Sequence, residues 1–199
     1  MASPVLPTQA DGSFRDPSGY VFLTEERVLR SVNQSALGAF QALWDKGVHA
    51  ALMKQGLLID TRLLPADEAN AARLQGCRGE QPARVLQHPR VPFFSYPYEW
   101  TFAQLQAAAL AHLDLQIAAL DLGAVLSDAT PYNMQCVNGR MQLIDVLSLR
   151  PYVEGEMWAG YNQFCRLFLL PLLLEAWSGV PFQPLLRGGL DGMRLADAV

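Results

Sequence analysis

Residues 126–149, LSDATPYNMQCVNGRMQLIDVLSL, decide how the rest of the chain is interpreted. Asn138-Gly139 stands between two runs rich in apolar residues, and an Asn-Gly pair in that setting is the strongest short-range signal of a two-residue β-hairpin. Counting back from this turn places Asn133 and Asp145 at the open end of the hairpin, about one cross-strand spacing apart. Because side chains alternate along a strand, the two converge only if the ladder ends or twists there.

Three polar side chains are therefore expected at this end of the hairpin. Asp128 precedes Asn133 by five residues, in the loop that joins a long predicted helix to the hairpin. Carboxylate and amide oxygens are the ligands that a hard cation prefers, and Mg²⁺ is commonly carried by nucleotide phosphates. We expect Asn133 and Asp145 to hold the metal ion and Asp128 to orient or deprotonate an acceptor hydroxyl. The alternative for Asp128 is the capping of a turn, since Ser-Asp-Ala-Thr-Pro is favourable turn chemistry.

The chain upstream predicts a small unit of strands and one helix. From Tyr20 it reads YVFLTEERVLRSVN, in which two β-rich runs flank the polar segment 24–27 and predict a hairpin. Apolar residues at helical spacing predict a helix over 36–55, weakened in its middle by Gly47. Prolines interrupt the β-like runs of 84–98, which favours edge strands or linkers over a central strand.

Two longer helices are predicted downstream. Thr101 and Gln104 form a capping box. The helix that begins there carries one apolar stripe, expected to face the core: Phe102, Leu105, Ala109, Leu113, Ile117 and Leu120. The segment 157–177 is apolar nearly all round, which is typical of a buried helix.

Composition limits the class of protein. The chain has 199 residues, of which 51% are hydrophobic and 17% charged, so it is a core-rich globular chain of one domain, with or without a small lobe. Its net charge of -4 comes without a basic face, which argues against a nucleic-acid partner.

Cysteine usage and the first residues bear on the compartment. Cys77, Cys136 and Cys165 are scattered, which suits free thiols in a reducing compartment. The first residues have no apolar run of the kind a secretory signal needs, and the longest apolar stretch is too short to span a bilayer. We expect a cytoplasmic protein without a membrane partner.

The hairpin and its flanks resemble a known catalytic loop. Asp128-Ala-Thr-Pro-Tyr-Asn133 resembles the loop of protein kinases and of aminoglycoside and choline kinases, in which a hairpin and a metal-binding Asp follow. Leu143-Ile144-Asp145 is similar to the apolar-apolar-Asp that opens their DFG-type segment. The resemblance implies an α+β, protein-kinase-like fold with Mg²⁺ and ATP as cofactors. Its N-terminal lobe would be reduced to a hairpin and a helix, and its C-terminal lobe would be mainly helical.

This resemblance also divides the chain. It implies a flexible arm at 1–17, a reduced N-terminal lobe and hinge at 18–98, and at 99–199 a helical C-terminal lobe with the catalytic-loop hairpin. Arg30 would contact the nucleotide phosphates, with Asp45 as its acidic partner. Tyr96, Tyr98 and Glu99 would line the adenine pocket at the hinge. The alternatives are a solvated surface charge for Arg30 and ordinary corner packing for the hinge residues.

Several stretches resemble, more narrowly, a bacterial family in which such a domain precedes a class I S-adenosylmethionine-dependent methyltransferase domain. They are DPSGYVF at 16–22, PFFSYPYEWTFAQL at 92–105, LSDATPYNMQ at 126–135, LIDVLSL at 143–149 and YNQFCRLFLLPL at 161–172.

The chain also departs from the broader kinase pattern. It has no glycine-rich loop and no Val-Ala-Ile-Lys motif, and Val-Leu stands where Phe-Gly would follow Asp145. Two functions remain open. One is a nucleotide- and Mg²⁺-binding domain that transfers phosphate to a hydroxyl acceptor. The other is a non-catalytic, pseudokinase-type accessory domain of a methyltransferase whose activity resides outside this chain. A helical scaffold without a ligand is the third and plainest option.

Overall fold

The computed structural model describes residues 8–10, 17–66 and 82–197, and it is an α+β structure. Its largest sheet has five antiparallel strands in the order β1-β2-β3-β5-β4. These strands are β1 Thr8–Gln9, β2 Val21–Leu23, β3 Arg27–Val32, β4 Arg62–Leu63 and β5 Arg84–Pro89.

The predicted hairpin near the N-terminus is confirmed as β2 and β3. The Thr24 N–H donates to the Arg27 carbonyl at 3.0 Å, and the Thr24 hydroxyl closes the same turn. Of the predicted arm 1–17, Thr8–Gln9 forms the edge strand β1. Residues 1–7 and 11–16 of the arm lie outside the described residues, as does 67–81.

The remaining elements are short except for one helix. The helices are α1 Gln34–Asp45, α2 Val48–Lys54, α3 Phe102–Asp121, α4 Tyr161–Phe164, α5 Leu170–Ser178 and α6 Gln183–Gly188, with a π-helical segment Cys165–Leu169 between α4 and α5. Strands β6 Ala124–Leu126 and β9 Leu149–Pro151 pair with each other, as do β7 Met134–Val137 and β8 Arg140–Leu143. The last pair confirms the Asn-Gly hairpin.

The predicted helix 36–55 is in fact two helices. Gly47 has φ of 75°, a left-handed conformation that ends α1 and precedes α2. The capping box of α3 is confirmed, because the Gln104 N–H donates to Thr101 Oγ1 while Gln104 Oε1 accepts from the Thr101 N–H.

The predicted inward stripe of α3 is wrong in its second half. Ile117 is 60% exposed and Leu120 is 41% exposed, whereas His112 and Gln116 are buried. Gln116 Oε1 accepts a hydrogen bond from the Leu126 N–H at 3.1 Å, which explains its inward position. The His112 ring lies against three aromatic side chains: Trp158, Phe164 and Phe168. Counting apolar residues alone could not find a core face that includes two polar side chains.

The helical region 161–178 is buried only in part. Phe164, Leu167 and Phe168 are buried, but in α5 Pro171 is the one buried residue and Trp177 is 80% exposed. The prediction of a buried helix is therefore wrong for α5. Pro171 has no N–H to donate to the carbonyl four residues earlier, which accounts for the wide π-helical turn before it.

One main core joins both predicted lobes. Val32 and Leu86 of the sheet and Phe40 of α1 belong to the same buried cluster as Leu105 and Leu115 of α3. A smaller cluster covers the other face of the sheet and contains Phe22, Leu29, Leu64 and Val85.

Two sequence expectations on compartment can be compared with the structure. Cys136 and Cys165 are free thiols, as predicted, and Cys77 lies outside the described residues. Among the residues that the structure describes, no helix combines the length and the apolar character that crossing a bilayer would require.

Candidate functional site

Arg30 projects from the sheet toward the main core. Its Cα pairs with Val21 on one side and with Leu86 on the other, and it lies two residues before Val32, on the same face of the strand. The residue is 7% exposed, so the alternative of a solvated surface charge is wrong. Burying a guanidinium is costly unless it is paired, and Arg30 Nη2 lies 2.8 Å from Asp145 Oδ1.

Asp145 is fixed from two directions. It follows β8 and begins the short 3-10 turn Val146–Ser148, where its Oδ1 accepts a hydrogen bond from the Leu147 N–H at 3.1 Å. The same oxygen receives the Arg30 guanidinium. One carboxylate thus joins the loop after the hairpin to the centre of the five-stranded sheet.

The strand pairing of the hairpin ends just before Asn133, which is the condition for Asn133 and Asp145 to converge. The last residue pair is Met134 with Leu143. Beyond it the Ile144 N–H still donates to the Asn133 carbonyl at 2.9 Å, but Asn133 belongs to the 3-10 turn Pro131–Asn133 and not to the strand. The alternation of side chains therefore stops, and Asn133 and Asp145 turn toward each other.

Asn133 connects the two predicted carboxylates. Its Nδ2 lies 3.0 Å from Asp128 Oδ2 and 3.5 Å from Asp145 Oδ2. The turn that holds Asn133 is capped by Thr130, whose hydroxyl accepts from the Tyr132 N–H at 3.3 Å. Asp128, Asn133 and Asp145, hereafter the acidic cluster, are thus brought together at the end of the hairpin.

The charge around the acidic cluster is partly neutralised by Arg30. A buried neighbour, His88, adds no positive charge at neutral pH, because burial and then the Arg30 charge lower the pKa of its imidazole to about 4. His88 Nδ1 instead lies 3.1 Å from the Thr61 hydroxyl.

The acidic partner of Arg30 differs from the one expected. Asp45 is exposed at the end of α1 and accepts a hydrogen bond from Gln41 at 2.8 Å. Arg30 forms its ion pair with Asp145 instead. The sequence could not show this because the two residues belong to elements far apart along the chain.

The three residues of the predicted hinge contact one another, and two of them line a cleft. The Tyr96 N–H donates to Glu99 Oε2 at 2.8 Å, and the rings of Tyr96 and Tyr98 stack with centroids 5.4 Å apart. Tyr98 and Glu99 line an open cleft of about 690 Å³ together with Gln183, Pro184, Arg187 and Gly188. No member of the acidic cluster lines this cleft, and the adenine-binding role of Tyr96, Tyr98 and Glu99 stays a prediction.

Sequence reasoning missed two residues that position the site. Gln135 is buried in β7, where it accepts from the Ser95 N–H at 3.0 Å and donates to the Ser95 carbonyl at 2.8 Å. A Cβ on Gly19 would lie 1.9 Å from the Ser31 carbonyl oxygen and 3.1 Å from Leu147 Cδ1. The single glycine of Asp-Pro-Ser-Gly was the available signal for this close approach.

The whole chain is similar to a rhizobial protein. It is 42% identical over 199 residues to nodulation protein NoeA of Rhizobium meliloti (strain 1021). The match covers 100% of this chain and 40% of that relative, so the chain spans less than half of the relative's length. No family model matches the chain. The relative is bacterial, which agrees with the bacterial family expected, but its name specifies no chemistry.

The donor set of the acidic cluster suits one hard cation. The carboxylates of Asp128 and Asp145 both lie close to the Asn133 amide nitrogen. Rotating the Asn133 amide group by 180° would place its oxygen near both carboxylates. In the described part of the chain no three His, Cys, Asp or Glu side chains gather to hold a metal ion, so this is not an all-protein cage. Mg²⁺ needs no cage, because it is usually held by one or two carboxylates together with phosphates and water.

Proposed function

We propose that this domain binds a nucleotide together with Mg²⁺ at the acidic cluster and transfers phosphate to a hydroxyl acceptor. The observation that carries the proposal is the meeting of Asp128 and Asp145 on the Asn133 amide, at 3.0 and 3.5 Å, beside the buried Arg30 guanidinium. The order of elements supports a kinase-like fold, since a strand-rich unit with the helices α1 and α2 precedes α3, the loop, the hairpin and a final helical region.

Each residue has a role that follows from its chemistry. Asp145 and Asn133 offer oxygens to the cation, which would neutralise the charge of the phosphates. Arg30 suits phosphate oxygens because a guanidinium donates two parallel hydrogen bonds to them. Asp128 would orient the acceptor hydroxyl and accept its proton as the hydroxyl oxygen bonds to the terminal phosphorus and the nucleoside diphosphate leaves.

A second function is favoured by two specific observations. The chain lacks the glycine-rich loop and the strand lysine that hold phosphates in active kinases, and it spans 40% of its relative. Both support a non-catalytic accessory domain whose partner is a methyltransferase domain or subunit outside this chain. In either case the proposed location is the cytoplasm.

A thermal-shift titration tests nucleotide binding. A ligand that binds the folded state alone raises its stability, so ATP with Mg²⁺ should raise the Tm of the wild-type protein. The shift should vanish in Asp145→Asn and persist in Asp114→Asn, a matched control that removes an exposed carboxylate of α3. Mg²⁺ alone and ATP with a chelator give the contribution of each component. If millimolar ATP with Mg²⁺ leaves the wild-type Tm unchanged, the domain is not a nucleotide-binding one.

Phosphate transfer is measured separately with ATP labelled on the terminal phosphate and a panel of hydroxyl compounds. If the domain is a phosphotransferase, Asp128→Asn should keep the nucleotide-induced shift in Tm and lose transfer. Nucleotide binding by the wild-type protein without transfer to any compound would favour the accessory function.

A further inference from the structure

Helix α5 is more apolar than its burial explains. Its sequence, LPLLLEAWS, contains one charged residue, yet Pro171 is its one buried residue. A helix that is apolar on all sides is normally enclosed by protein. In the described structure much of α5 faces outward.

The exposed apolar residues lie along one side of this helix. Leu169, Leu173 and Trp177 follow one another at intervals of four residues. Leu169 is 41% exposed and Trp177 80%, while Leu173 is partly exposed. We call these three residues the outer face of α5; at helical rise the face is about 12 Å long.

Two charged side chains near the outer face both bind their own chain. Arg166, three residues before Leu169, donates from Nε to the Met193 carbonyl at 3.3 Å. Glu175, the one charged residue of α5, accepts a hydrogen bond from the Phe182 N–H at 3.4 Å and so is directed toward its own chain. The exposed apolar residues of α3 differ in this respect, since Leu110 and Ile117 alternate with the exposed carboxylates Asp114 and Asp121. An apolar surface without charges is typical of the core of a permanent interface.

We propose that the outer face of α5 packs against polypeptide of the kind that the rhizobial relative carries beyond the matched region. About three fifths of that relative lies outside the match, although the match covers this whole chain. In a chain of that length, each copy of α5 is accompanied by one copy of the additional polypeptide. An apolar face covered by it would not be exposed to water. Its contacting surface should be apolar and uncharged. This inference holds whether or not the acidic cluster binds a nucleotide.

The test is hydroxyl-radical footprinting of two proteins. One is this chain alone, and the other is the rhizobial relative with this chain in place of its matched two fifths. Indole side chains react readily when exposed, so Trp177 reports directly on the outer face. Phe93, which is 78% exposed and belongs to the hinge segment, is the internal control. We expect oxidation of Trp177 to fall at least about fivefold in the longer protein, since an interface core excludes water, while Phe93 changes little.

Two results overturn the proposal. The first is equal oxidation of Trp177 in the two proteins. The second is protection of Trp177 in the chain alone that grows with its concentration, which would identify a second copy as the occupant.

A binding measurement in trans covers the case in which the longer protein does not fold. The separately produced remainder of the relative should bind wild type and Phe93→Lys, and fail to bind Trp177→Lys, in size-exclusion chromatography. Absence of binding to wild type also overturns the proposal.

Discussion

The Arg30 guanidinium and the Asp145 carboxylate form an ion pair of 2.8 Å between the middle of the five-stranded sheet and the loop after the Asn-Gly hairpin. Their side chains are 8% and 21% exposed, so water screens the pair poorly. The pair fixes the position of one carboxylate of the acidic cluster before any ligand binds. It also couples the stability of the fold to the candidate site.

Removing the Arg30 charge should destabilise the protein strongly. Arg30→Met leaves a largely buried carboxylate without its cation, and breaking such a pair costs about 3–5 kcal/mol. Urea denaturation followed by circular dichroism measures the change in the free energy of unfolding. The control is Arg150→Met, which breaks the 2.7 Å pair with Glu156. Its arginine is 31% exposed, against 8% for Arg30, so solvent screens this pair and its loss should cost much less than the loss of the Arg30 charge.

The double variant Arg30→Met with Asp145→Asn measures the interaction energy between the two side chains. Two residues in contact are not additive, so the double variant should lose less free energy of unfolding than the two single variants combined. Additive losses would show that the two side chains act independently and would contradict the coupling described above.

Two glycine variants should move stability in opposite directions. Gly19→Ala places a Cβ 1.9 Å from the Ser31 carbonyl oxygen, and such overpacking against backbone costs about 1–3 kcal/mol. Gly38→Ala in α1 meets no atom within 4 Å and should stabilise the helix by about 0.5–1 kcal/mol. Thermal unfolding of both proteins checks the pair, and a neutral Gly19→Ala would exclude the close approach.

Stability should fall as the solution is acidified below pH 6.5. Burial lowers the imidazole pKa of His49, His88 and His112 from 6.5 to about 4 in the folded protein. Between these values the unfolded chain binds protons that the folded protein does not. Each histidine therefore removes up to about 1.4 kcal/mol of unfolding free energy per pH unit, and the stability present above pH 6.5 is lost toward pH 4.

His112→Phe tests one of these three contributions. The ring lies among Trp158, Phe164 and Phe168, where an apolar aromatic fits chemically. Denaturation midpoints at a series of pH values should show a pH dependence reduced by about a third, since one of three similar titrations is gone. An unchanged slope would mean that His112 is protonated equally in the folded and unfolded states.

The contact between Gln135 and Ser95 should hold the segment before the Pro97–Glu99 turn to the hairpin. Gln135→Met removes both hydrogen bonds to the Ser95 backbone, and leaving such groups unsatisfied costs about 1–3 kcal/mol. Gln142→Met is the matched control, because Gln142 is the cross-strand neighbour of Gln135 and is partly exposed. Hydrogen exchange at Ser95 should rise in the first variant and stay unchanged in the second; equal rates would contradict this role.

Turn and capping signals predicted the local structures that they encode, whereas the proline signal was wrong for β5, which was expected to be an edge strand or a linker and lies between β3 and β4. The Asn-Gly turn, the polar turn at Thr24 and the capping box at Thr101 each depend on residues within a few positions of one another, and each is confirmed. The spacing alone left open whether Asn133 and Asp145 meet, because they converge only if the ladder ends before Asn133. That condition is met because a proline-initiated turn replaces the strand.

Contacts between distant elements were beyond the sequence. Asp145, and not Asp45, pairs with Arg30, because the partner is chosen by how the sheet faces the hairpin loop. The core face of α3 was misplaced because His112 and Gln116 are buried among partners supplied by other elements. Periodicity reports where apolar residues recur and does not report which side chains a neighbouring element can cover.

The π-helical turn at Cys165–Leu169 determines which side chains of the following helix α5 face the core and which face outward. The Arg166 carbonyl in this segment accepts a hydrogen bond from the Met193 N–H at 2.9 Å, which attaches the final loop to the helix. Each α-helical residue advances the helix by about 100°. Deleting one residue here would swing Trp177 by that angle relative to Phe164. The extra residue in the π-helical turn therefore allows the continuous helical region 161–178 to bury Phe164 at its start and to expose Trp177 at its end.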